Sequence, residues 1–291
     1  TAQYNLAIGT TALDAVTTGD KNVGVGYNAL TALNTGSWNS AVGGYAASSI
    51  TSGSDNVAFG LQALENLTGG SRNIAIGNLS MDGSDASEND NLAIGYAALG
   101  GAIDGGEKNV AIGNYSLDAT TSGDNNVAMG YNALTANTVG QDNVAIGFSA
   151  LYSNTGDSGS EGSGNVAIGA NALYSQTEGY YNTAVGQGTL KDLVNGGNNV
   201  ALGWGAMENA TASNNVAIGY MSLFGNTANT AMTGGGNTAA GHSSLLSNTS
   251  GSWNAAFGHS ALITNTTGYD NTSIGEYSMY FNTIGEQNVA V

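Results

Sequence analysis

An asparagine followed by the same short phrase returns along the whole chain, and this recurrence constrains the fold more than any single motif. The marker residues are Asn5, Asn22, Asn39, Asn56, Asn73, Asn91, Asn109, Asn126, Asn143, Asn165, Asn182, Asn199, Asn215, Asn237, Asn254, Asn271 and Asn288. Successive markers lie 17 residues apart in eleven of sixteen intervals, with one interval of 16, two of 18 and two of 22. Sixteen complete units follow without a linker or a shift in composition, so residues 1–291 read as one continuous repeat array.

With the asparagine as position one, position three is nearly always Ala, as in Ala75 and Ala111, and positions two and four are mostly Val, Leu or Ile. Position five is Gly in every complete unit, position eight is Ala, Ser or Thr, and position nine is usually Leu. A second glycine commonly stands at position fifteen. Seventeen residues are too few for a helix pair or a propeller blade. They suit one coil of an all-β parallel solenoid: strand, bend, strand, loop. At about 4.8 Å per stacked strand, such an array would form a rod roughly 80 Å long.

Alternation along a strand sets positions two and four on one face and three and five on the other. The expectation is that the bulky face and the position-nine leucine fill the coil. The reverse, with Ala and Gly inside a very thin coil, stays open. The asparagine is expected to stack on its copies as a hydrogen-bonded ladder, with mere tolerance of a turn as the weaker alternative. The position-five glycine fits either a left-handed backbone or a close steric approach.

Composition narrows the function. Only four basic residues oppose 21 acidic ones, a formal net charge of −17. That balance argues against nucleic acid, whose phosphates require Lys and Arg, and against an anionic membrane surface. There is no long apolar run for membrane insertion. The absence of cysteine removes disulfides and thiolate metal sites. Proline is also absent, as expected where most backbone donors are paired between segments. No nucleophile elbow, P-loop or zinc-protease signature occurs, so no enzyme, cofactor or metal is expected.

Two columns stand out. Position seventeen carries three of the four bases, and Asp55, Arg72, Asp90 and Lys108 alternate in sign over consecutive units. In-register stacking would make them an exposed charge ladder; Lys191 and Glu208 repeat this logic at position ten. Position six is often aromatic, with Tyr27, Tyr96, Tyr131, Phe148, Trp204 and Tyr220 as candidate glycan contacts. His242 and His259 occupy the same column, and ring stacking is favoured there over metal binding. The two 22-residue units place their extra residues within Tyr152–Gly164 and Phe224–Gly236, expected as protruding loops outside the core.

The phrase AsnValAlaIleGly followed by small-Leu, as in residues 165–173, resembles the head repeats of trimeric autotransporter adhesins. It is also similar to repeats of phage tail fibres and of surface proteins of aquatic bacteria. The resemblance implies a left-handed β-roll and a homotrimer, although the adhesin coil is shorter than 17 residues. Three functions follow as expectations. The first is a structural shaft of an extracellular fibre or adhesin, on a cell surface or virion. The second is a filament subunit stacked head to tail. The third is a glycan-binding surface using the position-six aromatics.

Overall fold

The computed structural model describes residues 1–83, 88–102, 104–156, 161–225 and 231–291. The chain divides into two compact units, Thr1–Asn143 and Val144–Val291, and the same coil is repeated in each. The first unit runs from β1 (Leu6–Ile8) to β8 (Val127–Met129), and the second from β9 (Val144–Ile146) to β17 (Val289–Ala290). Strands β1 to β16 occupy positions two to four of their repeats and β17 positions two and three, and no helix is present among the described residues.

Pairing is parallel and in register, each residue facing its own equivalent one repeat away. Ile74, Ala75 and Ile76 face Leu92, Ala93 and Ile94 in the first unit. Val166, Ala167 and Ile168 face Thr183, Ala184 and Val185 in the second. The chain is therefore an all-β parallel solenoid with one coil per repeat.

The expected second strand is absent from the described residues of every coil. The run from position five to position nine turns instead, through backbone of positive φ. Position five lies at φ of +119° to +145°, and positions seven and nine lie near +55°, as at Asn28 (+56°) and Leu30 (+52°). Left-handed backbone costs a side-chain-bearing residue roughly 1–2 kcal/mol. Here it aims successive N–H groups at opposite neighbours: Asn28 donates to the Thr10 carbonyl of the preceding coil, and Leu30 to the Ala46 carbonyl of the next. Coil-to-coil pairing thus continues where no strand is formed. Proline fits none of these positions, because its φ is fixed near −65° and it lacks the N–H.

Both readings of the position-five glycine hold together. At Gly95 the φ is +141°, and an added Cβ would lie 2.6 Å from the carbonyl carbon of Gly113 in the next coil. A side chain there is excluded by conformation and by space alike.

The assignment of inside and outside is the reverse of the expected one. Position three is the buried position: Ala75, Ala93, Ala111, Ala167 and Ala201 are wholly inaccessible. Positions two and four point outward, leaving Ile8, Phe59 and Ile76 exposed. The coil is narrow, and the Leu at position nine already fills it, as at Leu64, Leu99 and Leu173. Only a methyl group fits opposite. Position twelve completes the interior with Leu33, Ile50 and Leu67 in some coils and with Asn137, Asn154 and Gln176 in others.

Within the two long repeats, residues 157–160 and 226–230 lie outside the described residues, so the protruding-loop expectation is not addressed there. The flanks of the first insertion keep the coil: Gly156 donates to Thr177, and Asn154 Nδ2 donates to the Gly162 carbonyl at 2.8 Å. In the second, Met232 bridges to Ala210 and is fully buried. Met232 thereby takes the position-twelve place that Ala210 holds in the preceding coil, so it is a regular core residue of the repeat and not one of the extra residues.

Candidate functional site: the stacked columns

Stacking at one repeat per coil turns each repeat position into a column, and the side-chain chemistry of the protein is organised in these columns. Position one is the most regular. In the first unit the Asn39 N–H donates to Asn22 Oδ1 at 2.9 Å, and the Asn56 N–H to Asn39 Oδ1 at 3.1 Å. The side-chain amide closes its own coil, Asn39 Nδ2 donating to the Gly53 carbonyl at 2.8 Å. The second unit repeats this, with the Asn199 N–H on Asn182 Oδ1 at 3.0 Å and Asn199 Nδ2 on the Ala212 carbonyl at 3.0 Å. Asn22, Asn73, Asn126, Asn182 and Asn237 are completely buried. One primary amide supplies both an acceptor for the next coil and a donor for its own.

Position seventeen is exposed. Arg72 meets Asp90 through two parallel bonds, Nε to Oδ1 at 2.6 Å and Nη2 to Oδ2 at 2.9 Å. Among the described residues, no ion-pair contact joins Asp55 to Arg72 or Asp90 to Lys108. Their influence is through space: the hydrogen bond from Arg72 chiefly holds the Asp90 carboxyl below its ordinary range, with a smaller contribution from Lys108. Asp90 in turn raises the Arg72 pKa, and Asp55 adds a weaker effect. The Lys21 ammonium sits 3.9 Å from the Trp38 ring centroid in the same column. Reading only for alternating charge missed this contact, although the sequence places both residues at position seventeen. Lys191 Nζ lies 3.7 Å from Glu208 Oε1.

Position ten brings half-buried carboxylates into play in the first unit. Burial raises the pKa of Asp82, with Glu65 and then Asp118 adding repulsion. Burial alone raises that of Asp118.

Rings at position six contact aromatic neighbours, which in the first unit are Tyr45 and Tyr115 at position seven. Tyr27 meets Tyr45 edge to face at 5.2 Å, and Tyr115 bridges Tyr96 and Tyr131 at 5.4 and 5.9 Å. Phe148 is exposed. In the second unit Trp204, Tyr220, His242 and His259 form a continuous stack with 5.0 Å centroid spacing. The two histidines are therefore members of a ring stack, and His259 Nδ1 lies 3.8 Å from Glu276 Oε1.

Within each unit, positions two and four form an outward, mostly apolar face. Every residue in them is uncharged, from Leu6 and Ile8 to Val289 and Val291. Because these side chains were assigned to the interior, the sequence reading did not see this surface.

A scan against protein-family models finds no match to the chain, and a search of curated proteins finds no significant relative.

Proposed function

We propose that this chain is a structural, non-enzymatic segment of an extracellular fibre or adhesin shaft, on a cell surface or a virion, assembled with other copies of itself. The reading rests on the outward column at positions two and four. A chain with a net charge of −17 keeps positions two and four free of charge in every repeat of both units. Contiguous exposed apolar surface of this kind marks an interaction site, and covering each half-exposed Val or Ile yields on the order of 1 kcal/mol. Only a surface with the same axial repeat matches it coil for coil, and a further copy of the chain has that repeat. The resemblance to adhesin heads favours a homotrimer. The acidic balance speaks against nucleic acid as a partner.

Sedimentation equilibrium on the full chain tests this reading. The expected mass is a small multiple of the chain mass. Ile76→Asp, Ile94→Asp and Ile112→Asp together should leave a folded monomer with an unchanged β-type circular dichroism spectrum. A wild-type protein that sediments as a monomer would overturn the proposal. Long filaments that persist in the triple variant would instead support head-to-tail stacking.

A further inference from the structure

We infer that the second unit carries a binding site for a single neutral sugar ring, centred on Trp204. This inference is independent of the oligomer proposed above, since every residue it uses lies in one copy of the second unit. Among the aromatic stack, Trp204 is the terminal ring. Tyr220 covers its face on the side of the following coil, at 5.0 Å and 13°. In the preceding coil, position six is Gln187, which offers no ring. The opposite face of the indole opens on a cleft of ≈ 140 Å³ lined by Asn171, Gln187, Gly188, Lys191, Trp204 and Glu208.

The cleft opens where Gly188, one of its lining residues, leaves position seven without a side chain. Gly188 and Gly205 are the glycines of that column in two consecutive coils, where other coils carry residues such as Asn28, Asn132, Asn171 and Met221. Their backbone does not require glycine: Asn171 and Met221 adopt the same left-handed φ, +56° and +49°, against +68° at Gly188 and +61° at Gly205. What Gly188 contributes is open space beside the ring, whereas a Cβ at Gly205 would meet Glu208 Oε2 at 3.3 Å and the Phe224 ring at 3.5 Å. Glu208 reaches over that space, and a Cβ at Gly188 would lie 3.6 Å from Glu208 Oε2, an ordinary contact.

The lining fits a pyranose. An indole face offers a flat apolar platform for the C–H face of the ring. The Asn171 and Gln187 amides supply both donors and acceptors for ring hydroxyls. Lys191 and Glu208, 3.7 Å apart, add a cation and an anion whose charges cancel, which favours a neutral sugar over an acidic one. The cleft is smaller than the roughly 300–1,000 Å³ of pockets that enclose drug-sized ligands, so it takes one ring. A site this open should bind with Kd on the order of 1 mM.

The test titrates the full chain with methyl β-D-glucopyranoside, methyl β-D-galactopyranoside and methyl α-D-mannopyranoside, following the indole N–H resonances of Trp38, Trp204 and Trp253. At least one glycoside should give a saturable shift confined to Trp204. N-acetylneuraminate should bind it more weakly. Trp204→Ala should abolish the saturation-transfer signal of the bound glycoside. Gly188→Asn, which keeps the ring and restores the side chain other coils carry, should weaken binding at least about tenfold. The inference is overturned by the absence of a saturable shift with all three glycosides, by equal shifts at the three tryptophans, or by unchanged affinity in Gly188→Asn.

Discussion

Positions seventeen and one are adjacent in the chain and stack with the same spacing, yet one column varies freely and the other holds a single residue type. At position seventeen the coil-to-coil bond is made by the backbone: the Trp38 N–H donates to the Asp20 carbonyl, and the Arg72 N–H to the Ser54 carbonyl. The side chain points to solvent, and Tyr, Lys, Trp, Asp and Arg all serve. At position one the corresponding N–H is taken by a side chain, Asn56 Oδ1 accepting from Asn73 at 3.0 Å while Asn56 Nδ2 holds the Gly70 carbonyl at 2.8 Å. The contrast teaches that residue identity in this repeat follows the bonds side chains make in the interior. Stacking by itself does not demand it.

The sharpest way to break the contrast is Asn56→Ala. It leaves the buried Asn73 N–H without its Asn56 acceptor and removes the amide that holds the Gly70 carbonyl. At about 1–3 kcal/mol for each orphaned group, a loss of roughly 2–5 kcal/mol is expected in urea unfolding. Next in size, Ala75→Leu should cost about 1–3 kcal/mol by overpacking the coil, while Ile76→Ser, one residue along but outward, should leave folding of the single chain almost unchanged. A larger penalty at Ile76 than at Ala75 would reverse the inside and outside assigned here.

Smaller effects sharpen the comparison at the rim. The folded pKa of Asp82 is raised, so the ionised carboxyl costs stability at neutral pH, and this cost fades as the pH falls through the folded pKa towards the unfolded value. Asp82→Asn should therefore be more stable at pH 7 by less than about 1 kcal/mol, with the advantage gone below about pH 4. Urea midpoints for both proteins at the two pH values measure it. The smallest effect belongs to position seventeen: Arg72→Ala should not move the unfolding midpoint resolvably in about 0.15 M salt, despite its bidentate contact with Asp90.

Much of the fold was legible because certain side chains recur wherever they are buried. The asparagines, the position-five glycines and the position-nine leucines mark the coil length, the turn and the filling. Two features were hidden for physical reasons. Period-two alternation reveals two faces but carries no sign, and hydrophobicity favoured the wrong one, because the width left beside Leu64 or Leu99 admits only alanine. The left-handed backbone at positions seven, nine and seventeen was also invisible. Leu30, Trp38 and Arg72 are residues whose local preference opposes it, and coil-to-coil hydrogen bonding overrides that preference. Of the candidate surfaces, the Arg72–Asp90 contact could be read from spacing, whereas no ion-pair contact extends it to Asp55 or Lys108 among the described residues. The open face of Trp204 could not be read so, since it depends on Gly188, a position-seven residue of the preceding coil that lies beside the ring only once the coils stack.

Residue-resolved native-state hydrogen exchange, comparing the wild type with Asn56→Ala, tests most directly whether buried side-chain amides tie one coil to the next. In the wild type the Asn73 amide should exchange as slowly as the strand amide of Ile74. In the variant Asn73 should lose its protection while Arg72, whose N–H is held by the Ser54 carbonyl, keeps its own. An Asn73 amide that stays protected in Asn56→Ala would contradict the account.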